Sequence, residues 1–134
     1  MTDDLKIHRL TSRPQFLAAA KGVSEARGAV VVQRLDRRDD DPTIRLGFTA
    51  TRKVGDAVVR NRAKRRLREA ARAMLAQHGV PGSDYVFIAR MGTTERAWDR
   101  LLDDVKSTLT RLATPKANRP SHARAPSGQD RQNP

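Results

Sequence analysis

The chain has 134 residues, 27 Lys and Arg against 15 Asp and Glu, a formal net charge of +12, and no cysteine. Its length suits one ordinary domain rather than two, and its charge points to a polyanionic partner, either nucleic acid or an acidic membrane surface. The lack of cysteine excludes a disulfide framework, thiolate catalysis, cysteine-ligated zinc and iron–sulfur clusters.

Apolar residues make up 37%, enough for a modest core, and aromatics only 4%. So few aromatics argue against a broad base-stacking sheet of the RRM type. No apolar run is long enough to span a bilayer. The N-terminus opens on acidic residues without an apolar segment, so it does not read as a signal peptide. A cytoplasmic location is the expectation.

Residues 1–11 are polar and read as a flexible N-terminus. Ser12 and Gln15 have capping-box spacing with Pro14 between them, which starts a helix over residues 13–21. That helix presents Phe16, Leu17 and Ala20, and Gly22 stops it. Residues 28–35 are rich in β-branched side chains and read as a strand. Arg37 to Pro42 is a charged, acidic turn. Residues 43–51 alternate: Ile44, Leu46, Phe48 and Ala50 point one way, Arg45, Gly47, Thr49 and Thr51 the other. That pattern is a half-buried strand, expected to run antiparallel to the first.

Asp56 is placed to cap a helix over residues 57–77, rich in Ala, Leu, Arg and Lys. Gly79, Pro81 and Gly82 end it. Residues 84–89 form a nearly continuous apolar run, as in a central strand buried on both faces. Thr93 or Thr94 is expected to cap a last helix reaching Leu112. Its Trp98, Leu101, Leu102, Val105, Leu109 and Leu112 recur at helical spacing, and its charges balance. It reads as a packing helix. From Thr114 the chain turns to Pro, Ser, Gln, Asn, Lys and Arg, a disordered basic tail over residues 114–134. The expected domain is residues 12–113, in the order α–β–β–α–β–α, with room for an extra strand piece near Arg52 or Arg90.

The charge is concentrated. Arg52 to Arg72 carries nine basic residues against Asp56 and Glu69. At about 100° per residue, Val59, Ala63, Leu67, Ala70 and Met74 form one apolar stripe. Arg60, Lys64 and Arg68 follow one another on the opposing surface, with Asn61, Arg65 and Arg72 beside them. Like charges four apart destabilise a helix slightly, so a row of them suggests a ligand that neutralises it. The competing reading, a solvated helix face, is weakened by the near absence of acids. Arg62 and Arg66 fall on the other flank of the stripe, towards nearby acids or a different stretch of RNA.

Nothing suggests an enzyme acting alone. His8, His78 and His122 are scattered, without metal-ligand spacing. Asp39 to Asp41 read as a solvated acidic loop. There is no nucleophile–base set and no glycine-rich phosphate loop. The runner-up to the reading that follows is a non-catalytic ribosomal or assembly RNA-binding protein. A membrane-surface helix is disfavoured, because the apolar side of the basic helix is mostly Ala and lacks Trp or Phe.

The stretch from Lys53 to Glu69 resembles the signature of the bacterial ribonuclease P protein subunit. An Arg60-Asn61-Arg62 "RNR" helix is preceded by Lys-x-Gly-x-Ala-Val and followed by Lys-Arg-x-x-Arg. The similarity spans roughly residues 7–112. The resemblance implies an α/β (α+β sandwich) fold, α-β-β-(β)-α-β-α, with a four-stranded sheet. It also implies a left-handed βαβ crossover through the RNR helix, against the right-handed rule that holds in about 98% of cases.

It further implies a protein component of an endoribonuclease that removes the 5′ leader of precursor tRNA. Hydrolysis and the Mg2+ ions would belong to the catalytic RNA, and the chain alone would be inactive. The implied partners are that RNA and precursor tRNA, with no membrane and no obligate protein partner. Carried over by position, Arg60, Asn61, Arg62, Lys64, Arg65 and Arg68 face RNA, and Arg52 and Lys53 sit at the rim. Phe16 lies in a leader cleft between the first helix and the sheet. Phe16 could equally be plain core. Two positions depart from the pattern: Ala20 and Gln33 stand where aromatics are common, so charge and shape would hold the leader more than stacking.

Overall fold

The computed structural model describes residues 7–113. Residues 1–6 and the expected tail at 114–134 lie outside the described residues. The elements run β1 (Ile7–Arg9), α1 (Arg13–Ala20), β2 (Val23–Arg27), β3 (Val30–Asp36) and β4 (Ile44–Thr49). A short 3-10 turn (Arg52–Val54) follows, then α2 (Ala57–His78), β5 (Ser83–Ala89) and α3 (Trp98–Ala113). The strands form one sheet in the order β1-β4-β5-β3-β2.

The sheet has five strands, not the expected four, and β1 and β2 are not marked by the sequence pattern. β1 lies inside the expected flexible N-terminus. All three of its residues are exposed, and parallel backbone pairing with β4 holds it. With no side chain buried, no apolar pattern marks it. β2 is an edge strand, Val-Ser-Glu-Ala-Arg, whose polar residues suit an unprotected sheet margin. It joins β3 through a tight turn at Gly28, where φ is +53° and an added Cβ would overlap the Asp104 carboxylate.

The second correction concerns neighbours. β3 and β4 do run in opposite directions, but they do not pair, because β5 lies between them. β5 is antiparallel to β3 and parallel to β4. It is the central strand that its continuous apolar run predicted, buried along nearly its whole length. β4, α2 and β5 therefore make the parallel crossover through the RNR helix.

Alternation along the strands sorts the side chains into two cores. Ile44, Leu46, Tyr85, Phe87, Val30 and Val32 meet Ala63, Leu67, Ala70, Ala71 and Leu75 of α2 and Leu101, Val105, Leu109 and Leu112 of α3. Phe48 stacks on Phe87 at 5.3 Å. The buried Tyr85 hydroxyl accepts from the Val80 N–H at 3.0 Å, and burial pushes its ionisation up. The other face carries a smaller cluster of Leu10, Ala19 and Val86, with Phe16, Leu35 and Ile88 packed against it under α1. Helix α1 starts as predicted, with the Gln15 side chain accepting from the Thr11 and Ser12 N–H groups.

Two buried carboxylates anchor Arg37, Arg45 and Arg96. Asp84 accepts from Arg45 twice at 2.7 Å and from Arg37 at 2.8 Å. Arg37 also donates to Asp39 and to the Asp41 and Thr43 carbonyls, which straps the acidic loop to the sheet and holds the Asp39 carboxyl below the usual range. Asp104 accepts from Arg96 at 3.0 and 3.1 Å and from the Ala29 N–H at 3.1 Å, joining α3 to the β2–β3 turn.

Thr93 and Thr94 do not cap α3, which begins at Trp98. Thr93 is fully buried. Its hydroxyl donates to the Ala29 and Arg90 carbonyls and accepts from the Arg90 N–H, closing the turn after β5. Near Arg52 the chain forms the 3-10 turn rather than a strand piece. Arg66 on α2 donates to the Thr93 carbonyl at 2.6 Å and lies 5.6 Å from the Trp98 ring centroid, tying α2 to this turn.

Asp104→Asn is expected to lower stability by about 1.5–3 kcal/mol, the usual worth of hydrogen bonds to a charged group, read in urea unfolding with an unchanged m-value. By the same reasoning Arg66→Ala should cost about 1.5–3 kcal/mol. Arg65→Ala, on the exposed surface of the same helix, should stay within about 0.5 kcal/mol. Equal effects at positions 65 and 66 would contradict the structural role of Arg66.

Candidate nucleic-acid interface

Helix α2 owes its place to its small side chains. Ala63, Leu67, Ala70, Ala71 and Leu75 are its buried residues. The buried stripe is thus shifted from the one predicted: Val59 and Met74 are half-buried, while Ala71 and Leu75 turn inwards. Alanine on this seam lets the helix lie close to the sheet, so that the longer cations beside it can rest against the protein, as Arg68 does on Phe48. Asp56 caps the N-terminus, its carboxylate accepting from the Val59 N–H at 3.0 Å.

The predicted site residues other than Phe16 lie on α2 and the turn before it, with Arg62 on the flank away from the Arg60–Arg68 row. Arg52 and Lys53 are exposed in the 3-10 turn that leads from β4 into α2. Asn61, Arg62 and Arg65 are exposed on the outer surface of α2; Arg60, Lys64 and Arg68 do not oppose the apolar stripe as expected but flank it, half-buried, because Ala71 and Leu75 turn the buried face towards them. Phe16 is the exception, because it lies across the sheet under α1. Its ring rests on Gly47, where any Cβ would overlap it. On the next residue of β4 the side chain points the other way: the Arg68 guanidinium lies 5.5 Å from the centroid of the Phe48 ring. β4 is therefore a shared wall, with Phe16 on one face and the cationic row on the other.

The electrostatics follow from where the acids are spent. Asp84 and Asp104 pair with Arg37, Arg45 and Arg96; Glu25 pairs with Arg111, and Asp103 with Arg27. Among the described residues, none of Arg52, Lys53, Arg60, Arg62, Lys64, Arg65 or Arg68 forms an ion pair with a carboxylate. The Arg60 Nε is enclosed without a hydrogen-bond partner among the described residues, which is uncommon for a buried donor. A row of uncompensated guanidinium and ammonium groups, part of it fixed against the protein, suits phosphates: Arg as a fork, Lys as a point charge.

Arg66 belongs elsewhere. It contacts no acid but the Thr93 carbonyl and the Trp98 ring. Sequence reasoning missed Phe48 as a support for Arg68, and read Trp98 as packing although its ring is substantially exposed. Phe48 lies on an apolar alternation that cannot distinguish a core residue from one half-covered by an arginine. Among the described residues no group of three or more His, Asp or Glu side chains could hold a metal ion. No helix among them is long and apolar enough to cross a membrane.

Known proteins agree with this architecture. The family model described as Ribonuclease P matches residues 5–113. A ribonuclease P protein component of Caulobacter vibrioides is 63% identical over 109 residues, covering 81% of this chain and 73% of that one. One from Ruegeria pomeroyi is 49% identical over 109 residues, covering 80% and 87%. The solved RNase P protein of Thermotoga maritima superposes with a TM-score of 0.63 at 30% identity, over 77% of this chain and 96% of that one. The unpaired cationic helix, the five-stranded sheet behind it and these relatives agree: the chain belongs to the ribonuclease P protein family.

Proposed function

We propose that this ribonuclease P protein component binds the catalytic RNA through the cationic surface of α2. It also holds the single-stranded 5′ leader of precursor tRNA in the groove between α1 and the sheet, and so promotes endonucleolytic removal of the leader. The observation that carries the reading is the row Arg60, Lys64 and Arg68, none of them in an ion pair among the described residues, beside exposed Asn61, Arg62 and Arg65, while the buried Asp84 and Asp104 pair with other arginines.

The physical task is to bring two polyanions together. Catalytic RNA and precursor tRNA repel each other. A strongly basic chain at their junction lowers that repulsion, and each phosphate it neutralises releases condensed counterions. Arg52 and Lys53 extend the surface to the end of β4, where the two faces of the sheet are closest in sequence. Phe16, half-buried over Gly47, is the aromatic side chain of that groove against which a leader base would stack. Gln33 shares the α1-facing side of the sheet with Val86, giving that groove a polar floor where an aromatic would have stacked. Magnesium held by the RNA subunit would supply the metal-assisted hydrolysis, and this chain's residues bind and orient.

Replacing Arg60, Lys64 and Arg68 together by Ala should leave helicity intact and weaken RNA binding. With roughly 0.7 to 0.9 per phosphate, the slope of log K against log salt should become shallower by about two to three. Wild-type affinity and slope in that variant would overturn the reading. Phe16→Leu should reduce leader affinity by about fivefold or more, the lower end of base–aromatic stacking. An unchanged affinity in a fully folded variant would return Phe16 to the core alone.

A further inference from the structure

The flank of α2 opposite the Arg60–Arg68 row carries a second feature, of which the function proposed above uses Arg62 alone. Trp98 is the chain's single tryptophan. It opens α3, whose later apolar residues Leu101, Val105, Leu109 and Leu112 are 0–1% exposed, yet its own exposure is 42%. The Arg66 guanidinium lies 5.6 Å from its ring centroid. Arg66 is itself fixed by the Thr93 carbonyl at 2.6 Å, and Thr93 is locked into the turn after β5. In the same turn Arg90 is exposed and Met91 is 77% exposed. Arg62, one helical turn before Arg66, is exposed and unpaired among the described residues. An exposed indole with a pinned guanidinium over one face and the other face left for a ligand, on a flank that also exposes Arg62, Arg90 and Met91, has the composition of a nucleobase platform.

We infer that Trp98, with Arg66 and Arg62, stacks an unpaired nucleobase of the catalytic RNA and forms a second RNA contact on the α2–α3 flank. This rests on reading α2 as an RNA-binding helix. The RNA subunit is the occupant, rather than the leader, because Trp98 lies with α2 and α3 on the sheet face opposite Phe16. A strand lying in the α1 groove would have to cross the sheet to reach it. Glu95 and Asp99 are exposed near the ring in sequence, so the phosphates flanking the base run on the α2 side, past Arg62 and Arg66. The indole itself takes the uncharged base.

Because Trp98 is the only tryptophan, intrinsic emission of the full chain reports on this site directly. The chain is titrated with its RNA subunit, with a leader oligonucleotide, and with heparin as a polyanion without bases. The RNA subunit should quench the emission and protect Trp98 from acrylamide several-fold, while the leader and heparin leave it accessible. Trp98→Leu should lose about fivefold or more in affinity for the RNA subunit and nothing for heparin, and Trp98→Phe should recover most of the loss.

If Trp98 stays as accessible in the RNA complex as in the free chain, the platform is overturned without any variant having to fold. If the RNA subunit binds, and binding is lost with the Arg60/Lys64/Arg68 replacement but not with Trp98→Leu, the platform falls while the α2 reading stands. If the RNA subunit does not bind the wild-type chain, both fall together. Protection by the leader instead would also overturn the assignment of the occupant.

Discussion

The structure depends on keeping the positive charge of α2 uncompensated while the helix still packs. The two demands conflict, because adjacent cations repel and a helix needs a buried face to stay in place. The chain resolves the conflict by sequence position. Alanines and leucines at Ala63, Leu67, Ala70, Ala71 and Leu75 carry the packing. The Phe48 ring and the Thr93 carbonyl steady Arg68 and Arg66 without neutralising them. Carboxylates that could have quenched the helix are buried elsewhere: Asp84 under Arg37 and Arg45, Asp104 under Arg96.

The sheet turns that helix into part of a two-sided device. β5 lies at the centre with both faces covered, so β4 is fixed between it and the short β1. Successive residues of β4 then serve opposite surfaces, Gly47 under Phe16 and Phe48 beside Arg68. A ligand in the α1 groove and another along α2 would share that strand as a common wall. This geometry suits a protein that holds one RNA against another.

Much of this was legible in the residues. The capping box at Ser12, the long Ala- and Arg-rich helix, the apolar run of β5 and the cationic row all follow from local pattern, and the structure retains them. What could not be read was set by partners distant in sequence. β1 has no buried side chain to mark it, and β2 is an edge whose polar residues mimic a loop. The insertion of β5 between β3 and β4 depends on which strand reaches the middle of the sheet, a choice that alternation within a strand does not encode. Thr93 looked like a helix cap because caps and buried turn hydroxyls draw on the same residue types. At the site, the spacing put the cations on one helix, where the structure has them, but the aromatic supports Phe48 and Trp98 became visible only once their neighbours were in place.

The most direct test is leader removal by the catalytic RNA at limiting magnesium, measured with and without the full-length chain. The account predicts that the chain alone cuts nothing, and that adding it to the RNA raises the initial rate on a precursor with a leader of several nucleotides. An RNA-alone rate that the chain leaves unchanged, or cleavage by the chain without RNA, would contradict it.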